Sequence, residues 1–416
     1  MTFLQEYDAF GPEDSLGKAG LFFKHLRMDW RGLFTELRDS RPILDLSPFV
    51  VGCADVTAVL ARPSVFQVTY RPHMDPSVGP FILGRDNTKL DWHDKSLMRA
   101  LLRWEDLPTI RSFAGRTATA ALATPDKEID VVRRVSRLVP LRVVEQCFGF
   151  YGPDDAAMLR WSWATQADMF HNLTSDAGLL AANIAADSEM RTWLRCFLAR
   201  RQPWALASGD DTVSRLLRLA ASDAAGLNLE GVVSNVAGLL VGAIETTSQA
   251  IVNATEQILL RPNVKAAAIA AALSEDTSAF DAIVWEALRF NPMTTFVLRI
   301  ATEPSVLAPG SDHETPVASG RVVAAAIGSA MFDPAIFPEP DDFKARPRTD
   351  YLHMGFGHHE CLGQYVGYTM IPETVRQILL LPGVHLLDGN GSAVDNANGP
   401  FAERFIIGYS PEQVHG

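Results

Sequence analysis

The residues best suited to chemistry lie in one short run, MGFGHHECLGQ, at positions 354–364. Its single cysteine, Cys361, follows Gly355 and His359, and Gly363 stands two places after it. Glycine adopts φ > 0 at no steric cost, so the run can bend tightly and present the thiol. A helix predicted to begin just beyond the cysteine directs its N–H groups at the sulfur and lowers the pKa of the thiol. A thiolate held in this way is a ligand for haem iron.

Two other interpretations fit the same run. A cysteine in a glycine-rich loop is often a small buried apolar side chain with no reaction to perform. His358, His359 and Cys361, with His353 nearby, also have the ligand types that bind zinc. The run alone therefore leaves haem ligation, zinc binding and a structural cysteine open.

A second candidate lies in an apolar stretch that is predicted to form one long helix over 235–253. Gly238 and Gly242 are followed there by Glu245 and Thr246. Small residues let another group approach the backbone, and a threonine hydroxyl can bond the carbonyl one turn earlier and open the helix. The resulting groove would admit dioxygen and water, and the acid and the hydroxyl would relay protons. A structural salt bridge and close helix packing explain the same residues equally well.

Two further helices carry charged pairs at helical spacing. Glu286 and Arg289 lie three apart in an apolar helix that ends before Pro292, which predicts a buried ion pair. Lys95 and Arg99 lie four apart on one face of another predicted helix. For this second pair, an ordinary solvated helix face is the alternative.

Composition limits the classes of protein that this chain can be. The 416 residues are 47% hydrophobic and contain no linker tract or repeat, so one large core is predicted. The net charge of −12 argues against a nucleic-acid-binding protein. The four cysteines lack CxxC spacing and the first thirty residues are not a signal peptide, which predicts a reducing compartment. The longest apolar run, 232–244, is too short to cross a bilayer, so we expect a cytoplasmic protein that binds no membrane.

The cysteine run resembles the haem-binding signature of cytochromes P450, Phe-Gly-x-Gly-x-His/Arg-x-Cys-x-Gly. Three more motifs are similar to motifs of that family and occur in its order. The long helix resembles the family's Ala/Gly-Gly-x-Asp/Glu-Thr, the ion-pair helix resembles Glu-x-x-Arg, and the stretch 91–101 resembles its acid-led helix with His and Arg. The resemblance extends from about residue 30 to the end of the sequence.

This resemblance implies a fold that is mainly α with minor β structure. The chain would form a single domain over 1–416, with an N-terminal extension at 1–29 and a core at 30–416. Haem would lie between the long oxygen-side helix and the helix that follows the cysteine loop.

The resemblance also implies the residues that hold haem b. Cys361 would be the axial ligand of the iron, and Gly355 and Gly363 would shape its loop. The haem propionates would be neutralised by four basic residues, which are Lys95, Arg99, Arg299 and His359.

Other roles implied by the family concern proton transfer, scaffold and substrate. Glu245 and Thr246 would be catalytic and deliver protons. Arg346 would complete the structural cluster of Glu286 and Arg289. The substrate would be contacted by Phe81, Ile82, Gly238, Val241, Gly242, Thr295, Phe296 and Val297, and by the turn from Asn398 to Phe401.

The sequence departs from the family pattern at five positions. Met354 replaces a phenylalanine beside the sulfur, Lys95 replaces a histidine and Ala243 replaces a glycine of the long helix. Met331 and Phe332 replace an Asn-Arg pair. These changes put local geometry in doubt and leave the motifs themselves in place.

The function that the resemblance implies is monooxygenation of a small-to-medium hydrophobic molecule with O2. Electrons would come from NAD(P)H through a ferredoxin and its reductase, and the basic residues Arg99, Arg103, Lys344 and Arg348 are predicted to dock an acidic ferredoxin. A peroxide-driven peroxygenase or hydroperoxide isomerase is one alternative. A non-catalytic haem protein that binds a ligand or senses gas is another.

Overall fold

The computed structural model describes residues 2–86, 88–222, 226–397 and 399–410. Helices hold 58% of the chain and strands 8%, so the predicted mainly helical fold with minor β structure is confirmed. Asn398, the first residue of the predicted substrate-side turn, lies outside the described residues.

The α-helices begin, in several cases, at an Asp, Asn or Thr side chain that accepts a hydrogen bond from the first turn, as at Thr88, Asp154 and Asn228. In chain order they are α1 (Phe3–Asp8), α2 (Ser15–Ser40), α3 (Cys53–Leu60), α4 (Arg71–Met74), α5 (Lys89–Leu101), α6 (Leu107–Leu122), α7 (Leu138–Val143), α8 (Asp155–His171), α9 (Ala177–Ala207), α10 (Thr212–Ala221), α11 (Leu229–Ala243), α12 (Glu245–Leu259), α13 (Pro262–Ala272), α14 (Ser278–Phe290), α15 (Ile327–Ala330) and α16 (Gln364–Leu379).

The strands are short and form three sheets. They are β1 (Ile43–Leu44), β2 (Phe49–Val50), β3 (Phe66–Val68), β4 (Glu128–Asp130), β5 (Val297–Ala301), β6 (Ser305–Leu307), β7 (Thr315–Val317), β8 (Val322–Ala325), β9 (His385–Leu386) and β10 (Ile406–Gly408). The sheet orders are β1-β2-β8-β5-β3, β4-β10-β9 and β6-β7. All strand pairs are antiparallel except β2 with β8.

The chain divides into two compact units. The first unit comprises residues 1–69 and 294–361 and contains the five-stranded and two-stranded sheets with α1, α2, α3 and α15. The second unit comprises residues 70–293 and 362–416 and contains the three-stranded sheet and the other helices. The single domain over 1–416 remains a prediction.

The core of the first unit includes residues from the predicted N-terminal extension. Phe3, Tyr7 and Phe22 are almost fully buried and pack with Phe34 and Phe49. Helix α2 runs through the predicted boundary at 29/30, although its backbone leaves helical geometry at Asp29. These aromatic side chains therefore belong to the core of the unit, because burying rings of this size contributes strongly to its stability.

The second unit is built from packed helices. Helix α6 packs on α16, α8 packs on α9, and α12 packs against both α14 and α16. The segment 229–259 is long and apolar enough to cross a membrane by length and composition, but two thirds of its most apolar window (67%) are buried within the protein. Core helices have the same character.

The long helix predicted over 235–253 is present but interrupted at one residue. Helix α11 ends at Ala243 and helix α12 begins at Glu245, with Ile244 between them at φ −87° and ψ −67°. The interruption lies where a local opening by Thr246 was predicted. The hydrophobic pattern continues through the break, so periodicity alone does not give its position.

Candidate active site

The cysteine loop lies at the end of the first unit. Gly355 and Gly357 have φ of 78° and 72°, values that residues with side chains rarely adopt. The N–H of Cys361 donates to the carbonyl of Met354 at 2.8 Å and closes the loop. A Cβ at Gly357 would lie 3.0 Å from the backbone oxygen of Leu60, so only glycine lets this loop rest against α3. The side chain of Cys361 is exposed.

The histidine rings of this loop contact one another or a tyrosine ring. The His358 and His359 rings meet edge to face at 5.0 Å, and His353 stacks on Tyr351 at 5.1 Å. Among the described residues, no group of three His, Cys, Asp or Glu side chains converges to bind a metal ion. The zinc interpretation of the run therefore has no support in this geometry.

Strand β5 carries the other predicted site residues of the first unit. Arg299 is 95% buried and its guanidinium donates to the carbonyl of Leu298 at 2.8 Å. Phe296 packs edge to face on Phe49 at 5.0 Å, so its ring takes part in the core of this unit. Thr295 and Val297, on either side of it, are partly buried.

Arg346 is held by backbone carbonyls of its own segment. Its guanidinium donates to Pro338 at 2.8 Å and to Lys344 at 3.0 Å, and it lies over the ring of Phe337. In the second unit, Glu286 and Arg289 are fully buried in α14 and form the predicted ion pair, with 2.7 Å between Arg289 Nη2 and Glu286 Oε1. A buried pair of this kind must be satisfied in full, because either charge alone would be costly.

The predicted acid–threonine pair stands at the break between α11 and α12. The Thr246 hydroxyl donates to the carbonyl of Gly242 at 2.8 Å, which is the back-bond expected of a threonine that opens a helix. Val241 is 3% exposed. Gly242, in contrast, is exposed although the ten residues before it are buried.

Glu245 lies in a buried charged network. Its side chain is 1% exposed, and its Oε2 accepts from Nε of Arg137 at 2.9 Å. Arg137 also forms a two-pronged bond with Glu403 at 2.7 and 2.8 Å, and Trp163 donates to Glu403 at 3.0 Å. Oε1 of Glu245 has no hydrogen-bond partner among the described residues. This carboxylate is therefore only half satisfied.

The network holds its two carboxyl groups at different pKa values. Burial raises the pKa of Glu245 to about 7, against the opposing effect of Arg137. Burial is the largest single influence on Glu403 and acts to raise its pKa, but the hydrogen bonds and charge of Arg137, together with the hydrogen bond from Trp163, outweigh it and bring that pKa below its ordinary value. Glu245 therefore gains and loses a proton near neutral pH, which is the requirement for a proton donor in catalysis.

Each unit by itself has features that are compatible with a haem. In the second unit, a Cβ added at Gly242 would meet no atom within 4 Å, and the same holds at Gly363, just before α16. Gly242 is exposed on an otherwise buried helix, so its backbone is open to a planar group. In the first unit, the exposed thiol of Cys361 is the ligand type that haem iron takes.

The two predicted basic residues of α5 differ in their surroundings. Lys95 is 93% buried, whereas Arg99 is exposed. Asp94 beside them accepts hydrogen bonds from Asn235 of α11 at 2.9 Å and from His93 at 2.6 Å. The lysine that departs from the family pattern is therefore the enclosed member of the pair.

The predicted substrate residues of the loop before α5 pack directly on α11. The ring of Phe81 is buried against Gly238, where an added Cβ would lie 2.3 Å from the ring. Ile82 is buried beside it. Gly238 is thus needed because an aromatic ring occupies the place of its missing side chain.

The sequence did not reveal the partners of Glu245 or the neighbour of Val241. Arg137, Trp163 and Glu403 come from three separate segments, and Gln166 of α8 donates through Nε2 to the carbonyl of Val241. None of these residues belongs to a motif. These residues come together only when the chain folds, so their spacing in the sequence does not predict the contacts.

Comparison with known proteins connects this chain to one family. The sequence model of the family described as Cytochrome P450 matches residues 190–381. Cytochrome P450 monooxygenase PikC of Streptomyces venezuelae is 28% identical over 275 residues, which are 65% of this chain and 61% of that protein. The alignment thus spans less than two thirds of that relative.

Two other matches extend over most of the chain. The mycinamicin IV hydroxylase/epoxidase of Micromonospora griseorubida is 25% identical over 376 residues, 85% of this chain and 89% of that protein. The crystal structure of CalO2 has a TM-score of 0.80 with 22% identity and covers 97% of this chain and 99% of that one. At this identity the structural likeness shows the fold.

Proposed function

We propose that this chain is a cytochrome P450 and that it acts as a haem-thiolate monooxygenase that inserts one oxygen atom of O2 into a hydrophobic molecule; the match to the family model and the similar bacterial P450 proteins support this. The observation that carries the proposal is Cys361, whose exposed thiol lies in a loop bent by two left-handed glycines. Such a loop presents a sulfur and does not bury it, which favours a ligand over a structural cysteine.

Individual residues of this chain would hold the cofactor. Cys361 would supply the axial thiolate, and Lys95, Arg99, Arg299 and His359 would neutralise the propionates. When bound, haem supplies the activation of dioxygen. Burial of Arg299 supports its role, because a cation enclosed by protein needs an anion to offset its desolvation.

The proton donors would be Glu245 and Thr246. Glu245 holds a proton at Oε1 or Oε2 about half of the time at neutral pH, since its pKa is about 7. Thr246 keeps the helix open at Gly242 through its back-bond, and its hydroxyl can rotate to pass a proton on. Protons would pass between solvent and the reaction through these two side chains, since Glu245 is buried and Gly242 beside Thr246 is exposed.

We propose that the substrate is a small-to-medium hydrophobic molecule and that the reaction is hydroxylation or epoxidation. The buried apolar residues Phe81, Ile82 and Val241 support an apolar lining. The name of one relative, mycinamicin IV hydroxylase/epoxidase, supports these two reaction types. Electrons would come from NAD(P)H through a ferredoxin and its reductase, in the cytoplasm.

The experiment that tests the proposal is the spectrum of the reduced carbon monoxide adduct. Protein reconstituted with haem should show the absorption diagnostic of a thiolate ligand, and Cys361→Ser should bind haem without it. Cys196→Ser, at an exposed cysteine of α9, is the matched control and should keep the wild-type spectrum. A thiolate spectrum that persists in Cys361→Ser would contradict the proposal.

A second comparison separates the monooxygenase from the peroxide-driven and non-catalytic alternatives. Product formation should require NAD(P)H with the two redox proteins, and peroxide alone should give little product. Equal or greater turnover with peroxide would favour a peroxygenase. Absence of product with either electron source, across a panel of ligands that shift the Soret band, would favour a non-catalytic haem protein.

A further inference from the structure

The break between α11 and α12 leaves three consecutive backbone carbonyls without their usual helical donors. In the described part of the chain, the carbonyls at 241–243 receive no backbone hydrogen bond from the residues four places later. Regular pairing resumes at Ile244, whose carbonyl accepts from Ser248 at 2.8 Å. Of these three residues only Val241 is buried, and a buried carbonyl needs a partner in place of the missing N–H group.

Side chains replace two of the three missing donors. Thr246 bonds the carbonyl of Gly242 from within the helix pair. Gln166, which is fully buried on α8, bonds the carbonyl of Val241 through its Nε2. The first is a local contact that a threonine makes wherever a helix opens. The second comes from another helix and depends on where α8 lies.

We propose that Gln166 is a positioning residue that holds the break between α11 and α12 open by occupying the carbonyl of Val241. Without this donor, the carbonyl of Val241 would take the backbone N–H of Glu245, its partner in a regular helix, and forming that bond would re-close the helix. Gln166 therefore fixes the backbone that carries Glu245 and Thr246. The consequence for catalysis rests on the proposed monooxygenase function, whereas the consequence for the helix does not.

The other half of the Gln166 amide supports this role. Its Oε1 is buried and has no hydrogen-bond partner among the described residues. An unsatisfied buried oxygen is costly, and an apolar residue of similar size would avoid that cost. The amide nitrogen must therefore contribute something that the apolar residue could not, and within the described part of the chain it bonds the carbonyl of Val241 alone.

The test uses the full-length protein and two substitutions at this position. Gln166→Met keeps the length and shape of the side chain and removes the donor. Gln166→Asn keeps the amide on a chain too short to reach. The control is Thr165→Val on the same helix, because Thr165 is fully buried and bonds only within α8, to the carbonyl of Trp161 at 2.7 Å.

The decisive readout is hydrogen–deuterium exchange in a peptide covering 241–248, with circular dichroism to confirm folding. The amides of residues 245–247 should exchange about fivefold more slowly in both Gln166 variants, because the helix closes and adds a hydrogen bond of ordinary strength. Thr165→Val should exchange like the wild type. Unchanged or faster exchange in Gln166→Met would overturn the proposal. Should that variant fail to fold, Gln166→Asn gives the same decision.

A second readout connects the break to the reaction. In haem-loaded protein supplied with NADPH, a ferredoxin and its reductase, Gln166→Met should release more peroxide for each NADPH consumed, because the proton donors are displaced. The ratio should be unchanged in Thr165→Val. If wild-type protein consumes no NADPH, the proposed function fails while the exchange result still decides the role of Gln166. NADPH consumption with unchanged peroxide release would confine Gln166 to the helix geometry and overturn its role in the reaction.

Discussion

Glu245 is the residue at which burial and charge pairing act most directly against each other. Burial favours its neutral form, whereas Arg137 at 2.9 Å favours its ionised form. Burial prevails, because Arg137 also binds Glu403 with both terminal nitrogens and divides its charge between two carboxylates. The competition of two carboxylates for one cation thus leaves the pKa of Glu245 near neutral pH.

The raised pKa of Glu245 should appear as a loss of stability with rising pH. Because the folded pKa is about 7 and the ordinary value is 4.5, the folded state binds more protons between these limits, and its stability falls as pH rises through them. Relative to Glu245→Gln, the wild type should lose roughly 1–3 kcal/mol of unfolding free energy between pH 5 and 8. Denaturant titrations at several pH values measure this. Parallel pH profiles for the two proteins would refute it, and Glu105→Gln at an exposed position is the control.

Substituting Arg137 should lower the unfolding free energy more than substituting Glu245 does. Gln or Met there leaves buried Glu245 and partly exposed Glu403 without their shared cation, and removing one partner of a buried pair costs about 3–5 kcal/mol. Arg137→Met should therefore lower the unfolding free energy by about that amount at pH 8, and by less at pH 5, where Glu245 is neutral. Adding Glu245→Gln should recover part of the loss.

The control for Arg137 is its neighbour Arg133. Its side chain is 77% exposed and reaches Asp130 at 3.6 Å. An exposed pair contributes at most about 1 kcal/mol, so Arg133→Met should leave stability nearly unchanged. Equal losses at the two positions would mean that the network around Glu245 does not stabilise the fold.

At the scale of elements, α11 carries two glycines for different reasons. Gly238 has no room for a side chain, because the Phe81 ring lies where its Cβ would be. Gly242 has open space on the same side. The sequence analysis gave both glycines the same role in the groove. It could not tell the two apart, because the Phe81 ring comes from a loop more than a hundred residues earlier.

Substituting each glycine with alanine should separate the two roles. Gly238→Ala should destabilise the protein by about 1–3 kcal/mol through overpacking. Gly242→Ala should be neutral or stabilise it by up to about 1 kcal/mol, because alanine favours a helix. Thermal unfolding measures both effects, and Phe81→Leu should restore much of the stability of Gly238→Ala. Equal effects of the two substitutions would contradict this assignment of the open side of the helix.

The elements also show where sequence patterns stop being informative. The back-bond from Thr246 to Gly242 follows from local chemistry and was predictable. The end of α11 at Ala243 was not, because buried residues continue on both sides of the break. Its second support, Gln166, lies on another helix. Local contacts can thus be read from spacing, and contacts between helices cannot.

For the whole molecule, short motifs indicated the family and left much of the packing undetermined. The aromatic cluster around Phe3 and Phe22 belongs to the core of the first unit, although residues 1–29 match no family motif. Apolar residues alone do not say which surface they cover. The ion pair of Glu286 and Arg289 was predictable in contrast, because both members lie on one helix turn.

Charge at the scale of the whole molecule bears on the proposed ferredoxin. The net charge of −12 repels an acidic partner at long range, so docking depends on local basic residues. Two of the basic residues that are predicted to dock the ferredoxin are paired with acids. Arg103 lies 2.7 Å from Asp210, and Lys344 binds Glu339. Their effective charge is therefore reduced, and a smaller contribution to steering is expected than from unpaired cations.

Reversing both charges should still slow reduction of the haem, because each reversal leaves a cluster of acids where a neutral pair stood. Arg103→Glu with Lys344→Glu should lower the rate of reduction by an acidic ferredoxin by about three- to tenfold at low salt and hardly at all in 0.5 M salt, where screening is nearly complete. Stopped-flow absorption measures the rate. Arg71→Glu with Arg133→Glu makes the same change in net charge at exposed acid-paired arginines and serves as the control. Equal slowing in the two double variants would show that total charge, and not the local charges at Arg103 and at Lys344, governs the encounter.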